Sequence, residues 1–148
     1  MYVRFVKASV WARLLDDGED AIAGAIAELR RSGQMVSVYE VATRDELELV
    51  AIALIANLRR QHFWFIEIEP TDLGGIPIIE SGGATPLSGA NRLHRDLDLN
   101  DERARLLVER LKRRRVAIQS VRERDLLAIA RRLVDAGQRI PSDSWLIK

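Results

Sequence analysis

The sequence predicts a single α/β domain in which strands and helices alternate along almost the whole chain. Three observations support this prediction: a length of 148 residues, which fits one domain; short segments rich in β-branched and aromatic residues; and helical spacing of apolar residues between them. Alternation of this kind favours a largely parallel or mixed sheet with right-handed crossovers. The alternative is an α+β ferredoxin-like sandwich of two layers, with all helices on one face.

The first half of the chain contains three predicted strands and two predicted helices. The strands are expected at 2–10, 35–41 and 63–69, and the helices at about 19–32 and 44–60. Gly33 follows the first helix, where a left-handed C-terminal cap is expected. Thr43 and Glu46 form a capping box that begins the second helix.

The second half begins with a short strand at 76–80, which Pro77 should restrict to a sheet edge because proline cannot donate to a ladder. A long irregular segment is expected at 81–99. A helix should then begin at Asn100 and end in the basic run 112–115. The remaining expected elements are a strand at 116–119, a helix that begins at a second capping box, Ser120 to Glu123, and ends at Gly137, and a strand at 145–147.

The two halves show weak internal similarity. Shifting the chain by 80 residues gives seven identities over the 25 positions from 36 to 60. One interpretation is a tandem duplication of a β-α-β-α-β unit, with copies at 2–69 and 76–147 inside a single domain spanning 1–148. The other is that any two amphipathic strand–helix units share valines and leucines in matching phase.

The composition excludes several classes of site. The chain has no cysteine, which excludes disulfides, a thiolate nucleophile and a cysteine-bound metal. The two histidines, His62 and His94, lack metal-ligand spacing, so no metal or cofactor is expected. The longest apolar run, 49–56, is far shorter than the ~20 residues of a membrane span. The N-terminus lacks the pattern of a signal peptide, so a cytoplasmic protein without membrane contact is expected.

The segment 81–99 is the first candidate for a site, because long loops in compact domains are usually functional or disordered. Asn91, Arg92 and Arg95 are candidate ligand-binding residues, and His94 is a candidate general base. The glycines of this segment match no phosphate-binding motif. One hypothesis is a small enzyme or a nucleotide-binding protein whose site lies in residues 81–96. The other is that this segment is only a solvated loop that connects two elements.

The second candidate is a basic cluster. Residues 103–132 contain 11 Lys/Arg and 3 Asp/Glu. Candidate partner-binding residues are Arg103, Arg110, Arg113, Arg114, Arg115 and Arg122. The leading hypothesis is a non-enzymatic interaction module that binds an acidic protein, or a second copy of itself, through this surface. A nucleic-acid-binding accessory protein is the weaker hypothesis, because no aromatic residues are interleaved with the arginines.

Overall fold

The computed structural model describes residues 1–16, 18–58, 63–85 and 87–137. In these ranges one sheet contains six strands, which are β1 (Tyr2–Phe5), β2 (Met35–Glu40), β3 (Phe63–Ile68), β4 (Ile78–Glu80), β5 (His94–Asp98) and β6 (Ile118–Val121). Their order across the sheet is β4-β5-β2-β1-β3-β6, and every neighbouring pair is antiparallel. The predicted parallel or mixed α/β sheet is therefore wrong, and the fold is α+β.

The helices explain why alternation did not produce parallel neighbours. They are α1 (Ala8–Ala12), α2 (Glu19–Leu29), α3 (Arg44–Leu58), α4 (Ser88–Asn91), α5 (Asp101–Arg113) and α6 (Glu123–Asp135). A single helix between two strands carries the chain back across the sheet, so that the second strand runs parallel to the first. Here two helices, α1 and α2, lie between β1 and β2, and β2 runs antiparallel to β1.

Helices cover both faces of the sheet, so the two-layer ferredoxin-like alternative is also wrong in its layering. One core lies between the sheet and α1, α2 and α5, and includes Trp11, Leu29 and Leu107. The other lies between the sheet and α3, α4 and α6, and includes Phe65 and Leu126. Successive strand residues alternate between these cores, as the two-residue period of a strand requires.

Several predicted boundaries change in the structure. The first strand ends at Phe5, because α1 occupies residues predicted as strand. The segment 81–99 is not one irregular loop, since α4 and β5 lie within it and β5 pairs with both β4 and β2. The edge position predicted from Pro77 is confirmed, because β4 is an outer strand. The predicted strand 145–147 lies outside the described residues, so the duplication stays a prediction.

The sheet is poorly joined at its centre. Only Tyr2 and Val3 of β1 pair with β2, whereas β1 makes four pairs with β3 and β2 makes five with β5. Continuing the β1–β2 register would place Arg4 opposite Val38 and Phe5 opposite Ser37, but these residues do not pair. The two strands therefore separate beyond Val3 and leave a gap between them.

Candidate functional site

A crevice lies where β1 and β2 separate, and it has a volume of about 630 Å³. This falls inside the range of roughly 300–1,000 Å³ that is usual for small-molecule sites. The segment 82–85 forms one wall of the crevice. The other walls come from β1 and β2, the residue before α1, the C-terminal end of α2, and parts of α3 and β5. The lining side chains are Arg4, Phe5, Val6, Lys7, Glu28, Arg31, Ser37, Tyr39, Leu54, Thr85 and His94.

Arg4 lines the crevice and bridges the separated strands. Its Nη1 donates to the backbone carbonyl of Ser37 at 2.9 Å, replacing the ladder bond that β1 does not make there. Its Nε is buried and has no hydrogen-bond partner among the described residues. Burial lowers the pKa of the Arg4 guanidinium, with Glu28 raising it and Arg31 lowering it. An arginine nevertheless stays charged near neutral pH, so the crevice contains a partly desolvated cation with an unused donor.

The mouth of the crevice beside α2 is positively charged. Lys7 and Arg31 line it and, in the part of the chain that the structure describes, neither forms an ion pair. The lining carboxylate, Glu28, is directed at α1, where it accepts from the Lys7 backbone N–H at 3.1 Å and from Trp11 Nε1 at 2.9 Å. The local field at this mouth therefore favours an anion.

His94 is held between serine oxygens from two different segments. Its Nδ1 lies 2.8 Å from Ser81 Oγ and 3.3 Å from the Ser81 carbonyl oxygen, and its Nε2 lies 3.0 Å from Ser37 Oγ. A carbonyl can only accept, so a proton on Nδ1 satisfies both contacts with Ser81 and leaves Nε2 to accept from Ser37. His94 thus joins β2, β5 and the segment that follows β4. A serine hydroxyl that contacts a histidine nitrogen, as Ser37 does here, is also the arrangement of a nucleophile and its general base. General-base catalysis by His94 stays a prediction.

The segment 82–85 is fixed by Asn91 of α4. The Asn91 side chain accepts from the Thr85 backbone N–H at 2.8 Å and from Thr85 Oγ1 at 2.6 Å, and donates to the Thr85 carbonyl at 2.9 Å. Gly83 packs so closely on α4 that an added Cβ would lie 2.9 Å from Asn91 Oδ1 and 3.3 Å from His94 Cβ. Asn91 was predicted to bind a ligand directly; the structure places its amide in the support of the crevice wall.

The wall beside α3 is aromatic and apolar. Phe5, Tyr39 and Leu54 line it, and the ring of Tyr39 lies 5.3 Å from that of His94 in an edge-to-face arrangement. Tyr39 is buried, and burial is the main cause of its raised pKa, with Arg4 lowering and Asp96 raising it. The apolar surface that this side of the crevice offers comes from the half-buried Phe5 and Leu54.

The other predicted ligand-binding residues lie outside the crevice. Arg95 donates to the carbonyls of Arg92 and His94, and forms ion pairs with Glu40 at 3.3 Å and Glu80 at 3.5 Å. Arg92 is exposed beside Arg95 on a shallow surface near Glu80. Of the four residues predicted in this segment, the structure therefore places only His94 in the crevice lining.

The predicted partner-binding arginines do not form one free surface. Three are engaged with the protein itself: Arg103 with Asp98, Arg110 with the carbonyls of Asp72 and Gly74, and Arg114 with Asp72 at 2.6 Å. Arg113 and Arg115 line a second concavity of about 600 Å³, with Leu15, Glu109 and Lys112. Arg122 follows β6 and Arg115 precedes it, so they lie near opposite ends of that strand.

The described residues contain no group of three acidic or histidine side chains that could hold a metal ion. His62 lies outside them. None of the described helices is long and apolar enough to cross a membrane.

No protein-family model matches the chain, and comparisons with curated proteins and with solved structures gave no significant match.

Sequence reasoning missed Arg4, Lys7 and Arg31 as site residues. A signal for Arg4 was present: it lies between Tyr2 and Val6, two positions that share its face of the strand and belong to one core. A charge in the middle of an inward-facing stripe is unusual, because burying an unpaired charge is costly. No comparable signal marked Lys7, which follows Arg4 by three residues, or Arg31, which reaches the crevice through the packing of α2.

Proposed function

We propose that this protein binds a small anionic molecule in the crevice between β1 and β2. The observation that carries the proposal is Arg4, a cation of the crevice lining that forms no ion pair with a carboxylate of the described chain while its Nη1 bridges the strand gap. A bound anion would pair this charge, and a hydrogen bond to a charged group contributes about 1.5–3 kcal/mol. Lys7 and Arg31 add two further positive charges at the mouth.

A thermal-shift titration with inorganic phosphate, at constant ionic strength, tests the proposal. A ligand at 100 times its dissociation constant adds about 2.7 kcal/mol to the free energy of unfolding. For a chain of this size that corresponds to a rise in Tm of roughly 5–10 °C. Arg31→Gln should weaken the response, because Arg31 lines the crevice and pairs with no carboxylate of the described chain.

Arg113→Gln is the matched control for this experiment. It removes the same charge from an exposed arginine, but at the other concavity. We expect it to leave the phosphate response unchanged. If Arg113→Gln weakens the response as much as Arg31→Gln does, the effect comes from net charge and binding in the crevice is refuted.

A second candidate function is the docking of an acidic protein segment on the concavity around Arg113 and Arg115. Arg115 has a left-handed φ of +56°, which directs the chain out of α5, and Leu15 is exposed beside it. Charge complementarity and the exposed leucine support a glutamate-rich peptide with an apolar anchor. Binding of such a labelled peptide should be lost in an Arg113→Glu, Arg115→Glu double variant. Equal binding of a nucleic-acid duplex of the same charge would instead favour the nucleic-acid hypothesis.

A further inference from the structure

We propose that the ligand of the crevice carries its anionic group on a flat aromatic ring, so that one molecule occupies both the charged and the aromatic wall. This inference rests on the proposed function and specifies its ligand class. It follows from how the gap in the sheet joins two surfaces that an intact sheet would keep apart.

Arg4 and Phe5 are successive residues of β1, so their side chains leave opposite faces of the sheet. Arg4 is on the face covered by α2, together with Arg31. Phe5 is on the face covered by α3, where it packs with Tyr39 at a centroid distance of 6.4 Å. Both residues nevertheless line the same crevice, because β1 and β2 separate beside them.

The crevice is too large and too mixed for an ion alone. A volume of about 630 Å³ suits a drug-sized molecule, and an ion bound at Arg4 would leave the aromatic wall uncovered. Stacked or edge-to-face contacts with the half-buried Phe5 ring favour a planar ring over an aliphatic chain. The His94 ring and the Ser37 hydroxyl that contacts it also line the crevice and can meet polar substituents of the ring.

The test uses matched pairs of small probes on the full chain, measured by calorimetry. Phenyl phosphate is compared with inorganic phosphate, and benzoate with acetate, which also distinguishes a phosphate from a carboxylate as the anionic group. We expect the aromatic member of at least one pair to bind about 10-fold more tightly, a difference of about 1.4 kcal/mol. Covering about 60 Å² of apolar surface would supply this gain.

Variants of the two walls separate their contributions. Leu54→Gln should weaken the aromatic probe and leave its non-aromatic partner unchanged, while Arg31→Gln should weaken both members of the pair by the same factor. Phe5→Leu, which keeps an apolar side chain in the strand, is the second aromatic-wall variant should Leu54→Gln fold poorly. Near-additive effects of the two wall variants on the aromatic probe would support one ligand that spans both walls.

Two outcomes overturn the inference in distinguishable ways. If both members of each pair bind equally tightly, the anion site stands and the aromatic part of the ligand is refuted. If no anion binds and wild type and Arg31→Gln behave alike, the proposed function itself fails. Equal weakening of aromatic and non-aromatic probes by Leu54→Gln would also overturn the inference, because the variant would then be acting through the fold.

Discussion

Replacing Arg4 with methionine should abolish anion binding while changing stability little. The exchange keeps an unbranched side chain of similar length in the crevice. It leaves the Ser37 carbonyl without its donor, which costs about 1–3 kcal/mol. The exchange also removes a buried guanidinium whose Nε has no hydrogen-bond partner. Burying that unpaired donor costs the wild-type protein a free energy of similar size, so the two effects offset each other. We therefore expect the free energy of unfolding to change by less than about 1 kcal/mol.

Arg114→Met is the matched comparison, because it makes the same exchange at an arginine with a structural role. Arg114 donates to both carboxylate oxygens of Asp72, at 3.1 and 2.6 Å, and Asp72 is 5% exposed. Without Arg114 the Asp72 carboxylate keeps the hydrogen bond from the Glu69 N–H, and losing the hydrogen bonds from this partly exposed arginine should cost about 1.5–3 kcal/mol. For this chain length we expect Tm to fall by roughly 3–12 °C. Anion binding in the crevice should be retained.

Urea denaturation with and without phosphate measures both quantities in one experiment. We expect Arg4→Met to lose the stabilisation by phosphate and to keep its stability without phosphate. We expect Arg114→Met to lose stability without phosphate and to keep the stabilisation by phosphate. If Arg4→Met destabilises the protein as much as Arg114→Met, then Arg4 is a structural bridge between the strands. In that case its orphan Nε gives no reason to expect a ligand.

Three further predictions concern the walls of the crevice and the surface beside it. Gly83→Ala should lower the free energy of unfolding by about 1–3 kcal/mol, because its Cβ would be overpacked against α4. Gly82→Ala is the control, because its Cβ would meet nothing within 4 Å. Equal Tm values for the two variants would contradict this explanation. The Gln34 hydrogen bond is the main cause of the lowered pKa of Asp98, so Asp98 stabilises the fold above its unfolded pKa and less as pH falls through its folded value. The wild-type protein should accordingly be more stable than Asp98→Asn at pH 6, and this difference should shrink toward pH 3 in urea titrations. A difference that does not depend on pH would refute a stabilising role for the Asp98 charge. A fluorophosphonate should leave Ser37 unlabelled, as expected of a binding protein, and labelling detected by mass spectrometry would restore the hypothesis of a catalytic His94.

The elements that the sequence predicted well are those specified by neighbouring residues. Asn100 was expected to begin a helix, and its side chain does accept the Arg103 N–H at 2.8 Å. Thr43 likewise accepts the Glu46 N–H at 3.2 Å. The second predicted capping box is wrong, because α6 begins two residues later, with Arg122 at its N-cap and no side-chain cap bond. A capping pattern predicts a helix start only where the backbone has already left the strand.

The order of the strands could not be predicted in the same way. Hydrophobic alternation is the same for a strand with parallel neighbours and for one with antiparallel neighbours once both faces are covered. The direction in which β2 enters depends on α1, which consists of five residues, and the first three of them, Ala8 to Val10, were absorbed into the predicted first strand. One short helix missed in the sequence thus changed the predicted direction of β2, β3 and β4, whereas β5 and β6 run parallel to β1.

The basic cluster shows why charge counts predict surfaces poorly. Arg114 and Arg110 were assigned to a partner, but both bind Asp72 in the 3₁₀ helix at Pro70–Leu73: Arg114 donates to its carboxylate and Arg110 to its backbone carbonyl. Asp72 lies some 40 positions earlier in the chain. Pairing over that separation depends on the packing of α5 against that segment, which no local pattern specifies.

The position of the crevice follows from the way the sheet is assembled. β1 stays attached to β3 along its whole length, and Val6 N–H extends that contact to the Trp64 carbonyl at 3.0 Å. β2 is attached to β5 over five pairs on the other side. Because strands twist, two well-paired units that share only two residue pairs separate away from that junction. The separation leaves backbone groups without ladder partners in the middle of the sheet, and Arg4 satisfies one of them. The guanidinium that bridges the separated strands is thus the same group that gives the crevice its charge, which is why anion binding and the stability of the sheet must be measured together.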